Sequence, residues 1–271
     1  MGLPQRILHK VQSVLQTQKT EMDVADFLSV FKKHLHHAII WRSSILGANE
    51  LLLSDEVKFL AYGLYKRGSV MSQLLQDAWV LYELGEKRGG YFVEFGATDG
   101  KGLSNTFALE KDYGWSGILA EPNPVWHERL RGNRNCTIET RCVFKTTGDT
   151  LDFLATEEPE LGGLKATAFA DGHATARQKA ESIKVTTVTL ADMLQAHNAP
   201  QHIDYMSIDT EGSEWDIIQG FDFAAYDITC LTVEHNYAPQ RDLIRQHLEK
   251  FGYTRKFTEF SLWDDWYIKK G

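Results

Sequence analysis

The stretch Tyr91-Phe-Val-Glu-Phe-Gly-Ala-Thr-Asp-Gly-Lys-Gly102 runs from an apolar strand into a glycine-rich turn, and a helix is predicted from Leu103. Gly96, Gly100 and Gly102 allow the backbone to approach a bound ligand closely. These glycines are four and two residues apart, which differs from the GxGxxG spacing of dinucleotide sites. A turn without any ligand would fit the same pattern. The stretch therefore predicts the first strand and turn of an α/β sheet.

Outward from this stretch, short apolar runs alternate with amphipathic segments. Such alternation predicts an α/β fold with a doubly wound, mostly parallel sheet. Strands are predicted at Tyr91–Phe95, Gly117–Ala120, Cys136–Phe144, Ile203–Ile208 and Ile228–Val233. Helices are predicted near 103–112, 123–131, 189–197, 213–220 and 239–251. Residues 252–257 and 266–269 suit a closing antiparallel pair, whereas 145–188 break the alternation and read as an insertion that shapes a substrate pocket.

The residues before the sheet have a helical pattern. Apolar stripes at helical spacing occur within 7–15, 24–39, 57–65 and 72–84. We therefore expect an N-terminal helical extension over 1–88 and a ligand-binding domain over 89–271. The N-terminal helices are candidates for a homo-oligomer contact or for docking onto a partner.

Composition narrows the functional classes. The 271 residues include 29 basic and 37 acidic side chains, a net charge of −8, which disfavours nucleic-acid binding. No apolar run reaches the length of a membrane span, and the N-terminus lacks the features of a secretory signal. The three cysteines, Cys136, Cys142 and Cys230, form no CxxC pair and predict reduced thiols. These features together favour a cytoplasmic protein with no membrane span.

Two carboxylates indicate the charge of the ligand. Glu121 closes the next predicted strand, 25 residues after Gly96, where an acidic residue can hold the two hydroxyls of a ribose. Glu94 lies inside the first strand, where its charge would repel a pyrophosphate. A ligand with a ribose and cationic groups fits both residues. S-adenosyl-L-methionine (SAM), which carries an ammonium and a sulfonium, is therefore favoured over NAD.

Several motifs, in this order along the chain, resemble the FkbM-type SAM-dependent methyltransferases. They are Ser72-Gln-Leu-Leu-Gln-Asp77, Phe92-Val-Glu-Phe-Gly-Ala-Thr-Asp-Gly100, Ser104-Asn-Thr106, Gly117-Ile-Leu-Ala-Glu-Pro-Asn-Pro124, Thr189-Leu-Ala-Asp192, Ile203-Asp-Tyr-Met-Ser-Ile-Asp-Thr-Glu-Gly-Ser-Glu214 and Val233-Glu-His-Asn236. The resemblance covers about residues 70 to 257. It implies a class I methyltransferase fold, which is Rossmann-like and has seven strands. It also implies O-methylation of a sugar, a glycan precursor or a secondary metabolite.

The resemblance also implies roles for single residues. The methionine portion of SAM would be cradled by Glu94, Gly96, Ala97, Thr98 and Gly100. The ribose would be held by Glu121, the adenine would lie near Asn123 and Arg141-Cys142-Val143, and Asp209 would face the methyl group. Gln76 and Asp77 would close the cofactor pocket. The chain departs from the family at Ser207, where lysine is frequent, and at Thr98, where asparagine is frequent.

Removal of the proton from an acceptor hydroxyl requires a base at the carboxyl ends of the strands. Asp209, Glu211, Glu234 and His235 meet this condition. We expect His235 to act as the base, with Asp209 orienting it and Glu211 in support. Alternatively, Asp209, Glu234 and His235 would bind Mg²⁺ or Mn²⁺, which would lower the pKa of the hydroxyl. His173 in the insertion is a further candidate.

Two other functions remain open at this point. One is a nucleotide- or NAD-linked Rossmann enzyme, which the charge of Glu94 and the glycine spacing disfavour. The other is a catalytically inactive methyltransferase fold that serves as a binding module. Such a module would have lost polar residues at the strand ends, and those residues are present here. A small-molecule or glycan acceptor is the expected partner.

Overall fold

The computed structural model describes residues 54–156, 161–167, 177, 179–258 and 260–269. The chain divides into two compact units, Met1–Ala61 and Tyr62–Gly271. Of the first unit only residues 54–61 are described, so the helices expected within 7–15 and 24–39, and any oligomer contact they make, lie outside the described residues. Residues 62–88 fall in the same unit as the sheet, and a domain boundary at residue 88 stays a prediction.

The second unit is built on a seven-stranded sheet, in the order β10-β11-β9-β8-β1-β2-β3. Its strands are β1 Tyr91–Phe95, β2 Ser116–Ala120, β3 Thr137–Glu139, β8 His202–Ile208, β9 Asp227–Glu234, β10 Tyr253–Lys256 and β11 Asp264–Lys269. The strands β9, β8, β1, β2 and β3 are parallel. β11 pairs antiparallel with β9 and with β10. The α/β class, the mostly parallel sheet and the closing antiparallel pair are thus confirmed.

Two of the described helices precede β1, and the others lie between strands, close to the places that the amphipathic pattern predicts. The helix predicted from Leu103 begins at Phe107. The helices are α1 Asp55–Lys66, α2 Gln76–Glu83, α3 Phe107–Tyr113, α4 His127–Asn133, α5 Leu190–Ala196, α6 Glu214–Ile218 and α7 Gln240–Glu249. Among the described residues, none of the helices has the length and apolarity needed to cross a bilayer.

The central strands are buried on both faces, since Phe92 and Val93 of β1, whose side chains point to opposite faces, are both fully buried. Val93 of β1, Ile118 of β2 and Met206 of β8 are fully buried, and they pack in one cluster with Ile218 of α6 and Leu248 of α7. Strands covered by helices on both faces read as continuous apolar runs, which explains why the sequence indicates them clearly. Burial of each such side chain contributes about 1.5–3 kcal/mol. The same packing leaves the polar chemistry to the strand ends.

Three strands of the insertion and one strand just before it form a second sheet, in the order β4-β7-β5-β6. Its strands are β4 Cys142–Val143, β5 Thr150–Ala155, β6 Gly163–Leu164 and β7 Glu181–Val188. The single strand expected over Cys136–Phe144 is therefore wrong, because β3 belongs to the first sheet and β4 to the second. Between them, the Glu139 carboxylate accepts hydrogen bonds from the backbone N–H and the guanidinium of Arg141. This local turn directs the chain from one sheet to the other.

Candidate functional site

The ends of β1 and β8 meet at Gly96. Gly96 has a φ of +69°, and a Cβ atom placed there would lie 2.0 Å from the carbonyl oxygen of Asp209. Only glycine allows this contact in the left-handed region. β1 is flanked by β8 on one side and by β2 on the other, so this point is where the strand order reverses. Ligands of open α/β sheets bind at such a switch point, beyond the carboxyl ends of the strands.

Glu121 connects the end of β2 to the glycine-rich turn. Its Oε2 accepts from the Thr98 backbone N–H and its Oε1 from the Asn123 N–H, both at 2.8 Å. The side chain is buried, and burial raises the pKa of its carboxyl to about 7. Nδ2 of Asn123 is buried and, within the described part of the chain, has no hydrogen-bond partner. An acceptor and an unpaired donor thus lie together where the ribose and adenine were expected.

Glu94 has a different surrounding from the one expected. Its buried carboxylate accepts hydrogen bonds from the Ser104 hydroxyl, the Asn105 backbone N–H and the Thr106 hydroxyl. Nη1 of Arg134 lies 3.8 Å from it. The observed role of Glu94 is therefore to hold the segment before α3 against β1. A contact between Glu94 and the methionine portion of a cofactor stays a prediction.

Arg134 organises this segment, and sequence reasoning missed it. Its buried guanidinium donates to Glu110 Oε2 at 2.7 Å, to the Gly100 carbonyl at 3.0 Å and to the Thr106 hydroxyl at 2.9 Å. Gly100 has a φ of +75°, and a Cβ there would lie 2.7 Å from Arg134 Cγ. The expected cradle residue Gly100 is thus required by packing against Arg134. Ala97, between the two glycines, is buried.

Cys142 lies in β4 and is buried. Burial, and next the nearby charge of Glu121, raise the pKa of its thiol to about 12. The thiol of Cys142 is consequently protonated, and it lies close to Glu121. A contact with adenine is compatible with this place and stays a prediction.

Three carboxylates, which we call the carboxylate cluster, converge beyond β8 and β9. Oxygen atoms of Asp209, Glu211 and Glu234 all lie within 4.8 Å of one another. Burial, and next the charge of Asp264, raise the pKa of Asp209 to about 8, although a hydrogen bond with Glu234 opposes this rise. Burial and the charges of Asp209 and Glu211 hold the pKa of Glu234 well above its usual range. The carboxylate cluster is therefore partly protonated at neutral pH unless a cation binds beside it.

The insertion contacts the carboxylate cluster through Glu211. Nη2 of the buried Arg177 lies 2.7 Å from Glu211 Oε2. A Cβ at Gly212 would lie 3.0 Å from the Thr167 carbonyl oxygen. The turn after β8 is thus packed against the insertion, and Arg177 balances the charge of one of the three carboxylates. The other insertion candidate, His173, lies outside the described residues.

The structure does not bring His235 into the group with Asp209. Its Nδ1 accepts the Tyr237 backbone N–H at 2.9 Å, and its Nε2 lies 3.8 Å from Asp265 Oδ1. Burial, and next the cation of Arg241, lower the pKa of His235 to about 4. The expected Asp209–His235 pair and the metal set of Asp209, Glu234 and His235 therefore need correction. Among the described residues, the set that can hold a metal contains Glu211 instead of His235.

Of the two residues expected to close the cofactor pocket, only Gln76 reaches the sheet. Its Nε2 donates to Asp264 Oδ2 at 2.8 Å. Asp264 begins β11 beside Glu234, and burial raises the pKa of its carboxyl to about 7. Asp77 is used locally, since its carboxylate accepts from the Met71 and Ala78 N–H groups. Asp264 is a further acidic residue of the site that the sequence patterns did not indicate.

Comparison with known proteins adds a family. The model of the methyltransferase FkbM domain matches residues 94–255, more than half of the chain. No curated protein matches the sequence. A crystal structure of precorrin-6y C5,15-methyltransferase from Geobacter metallireducens GS-15 superposes with a TM-score of 0.39 and 12% identity, over 69% of this chain and 76% of that one. A mutant of MtNAS superposes with a TM-score of 0.32 and 11% identity, over 99% and 97%. Both structural likenesses are too distant to assign an activity.

Proposed function

Because the chain belongs to the FkbM methyltransferase family, we propose that it transfers the methyl group of SAM to a hydroxyl group of a sugar, a glycan precursor or a secondary metabolite. The observation that carries this proposal is the meeting of three parallel strand ends. Gly96 after β1 touches Asp209 after β8, and Glu121 after β2 bonds to the turn that follows Gly96. In a class I methyltransferase fold this is the place of the cofactor.

The residues present fit SAM. Glu121 offers carboxylate oxygens to ribose hydroxyls, and Asn123 Nδ2 is a buried donor that lacks a partner among the described residues. The raised pKa values of Asp209 and Glu234 indicate a site that is short of positive charge. SAM carries a sulfonium and an ammonium, and when bound it supplies an electrophilic methyl carbon. Binding of that cation would favour the ionised carboxylates.

In this proposal the carboxylate cluster of Asp209, Glu211 and Glu234, rather than His235, removes the proton. Glu234 lines a cavity beside the site and is also a member of the carboxylate cluster, so it can contact both an acceptor and Asp209. Once ionised, the Glu234 carboxylate would accept the proton of the acceptor hydroxyl. SAM, held by Glu121 and Asn123, would supply the methyl group to the hydroxyl oxygen and leave as S-adenosylhomocysteine. Asp209, held against Gly96, hydrogen-bonds Glu234 and orients it. A base of this kind contributes about 10²- to 10⁴-fold in rate.

A divalent cation is a second version of the same proposal. Asp209, Glu211 and Glu234 supply the oxygen ligands that Mg²⁺ or Mn²⁺ prefers. Arg177 already balances Glu211, which favours the version without a metal. Treatment with EDTA separates the two, because turnover continues without a metal and stops if Mg²⁺ or Mn²⁺ activates the hydroxyl.

The testing experiment follows tritium from labelled SAM into fractions of a cell extract. We expect label in a product that resists mild alkali, since a methyl ether is stable where a methyl ester is hydrolysed. Glu234→Gln should reduce kcat about 10²-fold with SAM affinity retained, and Glu249→Gln, on an exposed side chain of α7, should have no effect. Label on nitrogen or in an ester would contradict methylation of a hydroxyl group. SAM binding without transfer would favour the inactive binding module.

A further inference from the structure

Gln76 holds the carboxylate of Asp264 in place with a neutral donor. Its Oε1 accepts the Leu74 backbone N–H at 2.8 Å, and its Nε2 donates to Asp264 Oδ2, also at 2.8 Å. Because a backbone N–H can only donate, the amide nitrogen of Gln76 must face Asp264. Leu75, between Leu74 and Gln76, has a φ of +69°, an unfavourable conformation for leucine. Such a conformation persists only where surrounding contacts impose it, and the two hydrogen bonds of Gln76 are contacts of this kind.

The two acidic residues that begin β11 differ in their partners. Asp265 forms ion pairs with Arg241 at 2.7 Å and with Arg255 at 3.4 Å. Asp264 is also buried, but it has no ion-pair partner in the part of the chain that the structure describes. An amide such as that of Gln76 fixes the position of a carboxylate without neutralising it, whereas a guanidinium does both. When ionised, Asp264 therefore contributes an uncompensated negative charge.

This charge lies beside the carboxylate cluster. Asp264 is directly opposite Glu234 in the antiparallel pair of β11 and β9, so the two side chains are on the same face of the sheet. After burial, the charge of Asp264 is the main cause of the raised pKa of Asp209. Like charges that face each other destabilise a sheet, and a cation bound beside them reverses this effect. The sulfonium of SAM is the cation that the proposed function brings to Asp209.

We propose that Asp264, positioned by Gln76, makes the site select the cationic sulfonium of SAM over the neutral thioether of S-adenosylhomocysteine. The charge of Asp264 acts across the carboxylate cluster and requires no contact with the cofactor. Methyl transfer leaves the electron pair of the broken bond on sulfur, which becomes neutral, so the same carboxylates attract the product less than the substrate. This inference rests on the proposed function, because it places the sulfur atom beside Asp209.

Calorimetric titrations of the full chain with SAM, S-adenosylhomocysteine and sinefungin test the inference. Sinefungin carries an amine, which is cationic at neutral pH, in place of the methylated sulfur. Asp264→Asn removes the charge and keeps an oxygen that accepts from Gln76. We expect this variant to bind SAM and sinefungin about 3- to 10-fold more weakly relative to S-adenosylhomocysteine than the wild type does.

A second variant and a control complete the experiment. Gln76→Leu retains Asp264 but removes the donor that holds it, so the affinity for SAM relative to S-adenosylhomocysteine should fall in the same direction. Asp242→Asn, on an exposed side chain of α7, removes an acidic charge away from β11 and should keep the wild-type ratio. Circular dichroism of each variant establishes that it is folded.

The contrary results are distinct. Equal weakening of all three ligands in Asp264→Asn would mean a merely structural role and would overturn the inference, as would an unchanged ratio. A loss for SAM without a loss for sinefungin would also overturn it, because charge would not be the property selected. If Asp264→Asn does not fold, an unchanged ratio in Gln76→Leu overturns the inference instead. Failure of all three ligands to bind the wild type would refute the proposed function itself.

Discussion

Replacement of Gly96 by alanine tests the contact between the two strand ends. The new Cβ would lie 2.0 Å from the Asp209 carbonyl oxygen, at a φ of +69°. Gly114, at the end of α3, provides a matched control because its φ is also +69° and no atom lies within 4 Å of a Cβ placed there. The two variants share the backbone strain and differ in the clash.

The expected energies follow from these two geometries. A non-glycine residue in the left-handed region costs about 1–2 kcal/mol, so Gly114→Ala should lower the free energy of unfolding by that amount. Forcing a methyl group into a packed contact costs about 1–3 kcal/mol more. Gly96→Ala should therefore lose about 2–5 kcal/mol in total. It should also weaken SAM binding at least about tenfold, a cost of 1.4 kcal/mol, because Asp209 must move away from its place at the site.

Urea denaturation measures the free energies of unfolding, and calorimetry measures the SAM affinities. The difference between the two variants isolates the cost of the contact with Asp209. Equal losses of stability, together with unchanged SAM binding in Gly96→Ala, would mean that Gly96 serves only as a turn glycine. The proposed cofactor position would then lose its anchor.

Two further predictions concern buried charge. Glu121 has a folded-state pKa of about 7 against a usual value of 4.5, so between these pH values the folded protein holds a proton that the unfolded chain releases. The free energy of unfolding should therefore fall by up to about 3 kcal/mol as the pH rises from 4.5 to 7. Urea denaturation should show a flatter fall in Glu121→Gln and the wild-type fall in Asp112→Asn, on an exposed side chain, whereas an unchanged slope in Glu121→Gln would contradict the raised pKa. Arg134→Met should lower the free energy of unfolding by about 3–5 kcal/mol, because it leaves Glu94 and Glu110 without their buried cation. Arg131→Met, on an exposed side chain of α4, is the control. A loss in Arg134→Met as small as in the control would refute the stabilising role of Arg134.

The sequence predicts the central sheet well for a physical reason. Strands such as β1 and β8 are buried on both faces, so apolar and aromatic residues predominate in them, with Glu94, Asp204 and Ser207 as buried polar exceptions. The turn after β1 and the acidic residue after β2 are equally visible, since each follows directly from a strand end. The order of the strands in space required the family resemblance in addition to these local patterns.

The remaining features depend on contacts between distant residues. Gln76 and Asp264 are 188 positions apart, so no local pattern indicates their hydrogen bond. The division between β3 and β4 depends on the pairing of β4 with β7, more than 40 residues later in the chain. His235 was expected beside Asp209 because both follow strand ends. Its ring orientation, however, is determined by the Tyr237 N–H and brings Nε2 towards Asp265.

The most direct test of the central claim is a calorimetric titration of the purified protein with SAM. The account predicts one saturable site in the wild type. Glu121→Ala should weaken its binding by about 2–3 kcal/mol, roughly 30- to 150-fold, and Glu128→Ala, on an exposed side chain of α4, should bind as the wild type does. Absence of SAM binding to the wild type, or equal affinities of the wild type and Glu121→Ala, would contradict a SAM site at the ends of β1, β2 and β8.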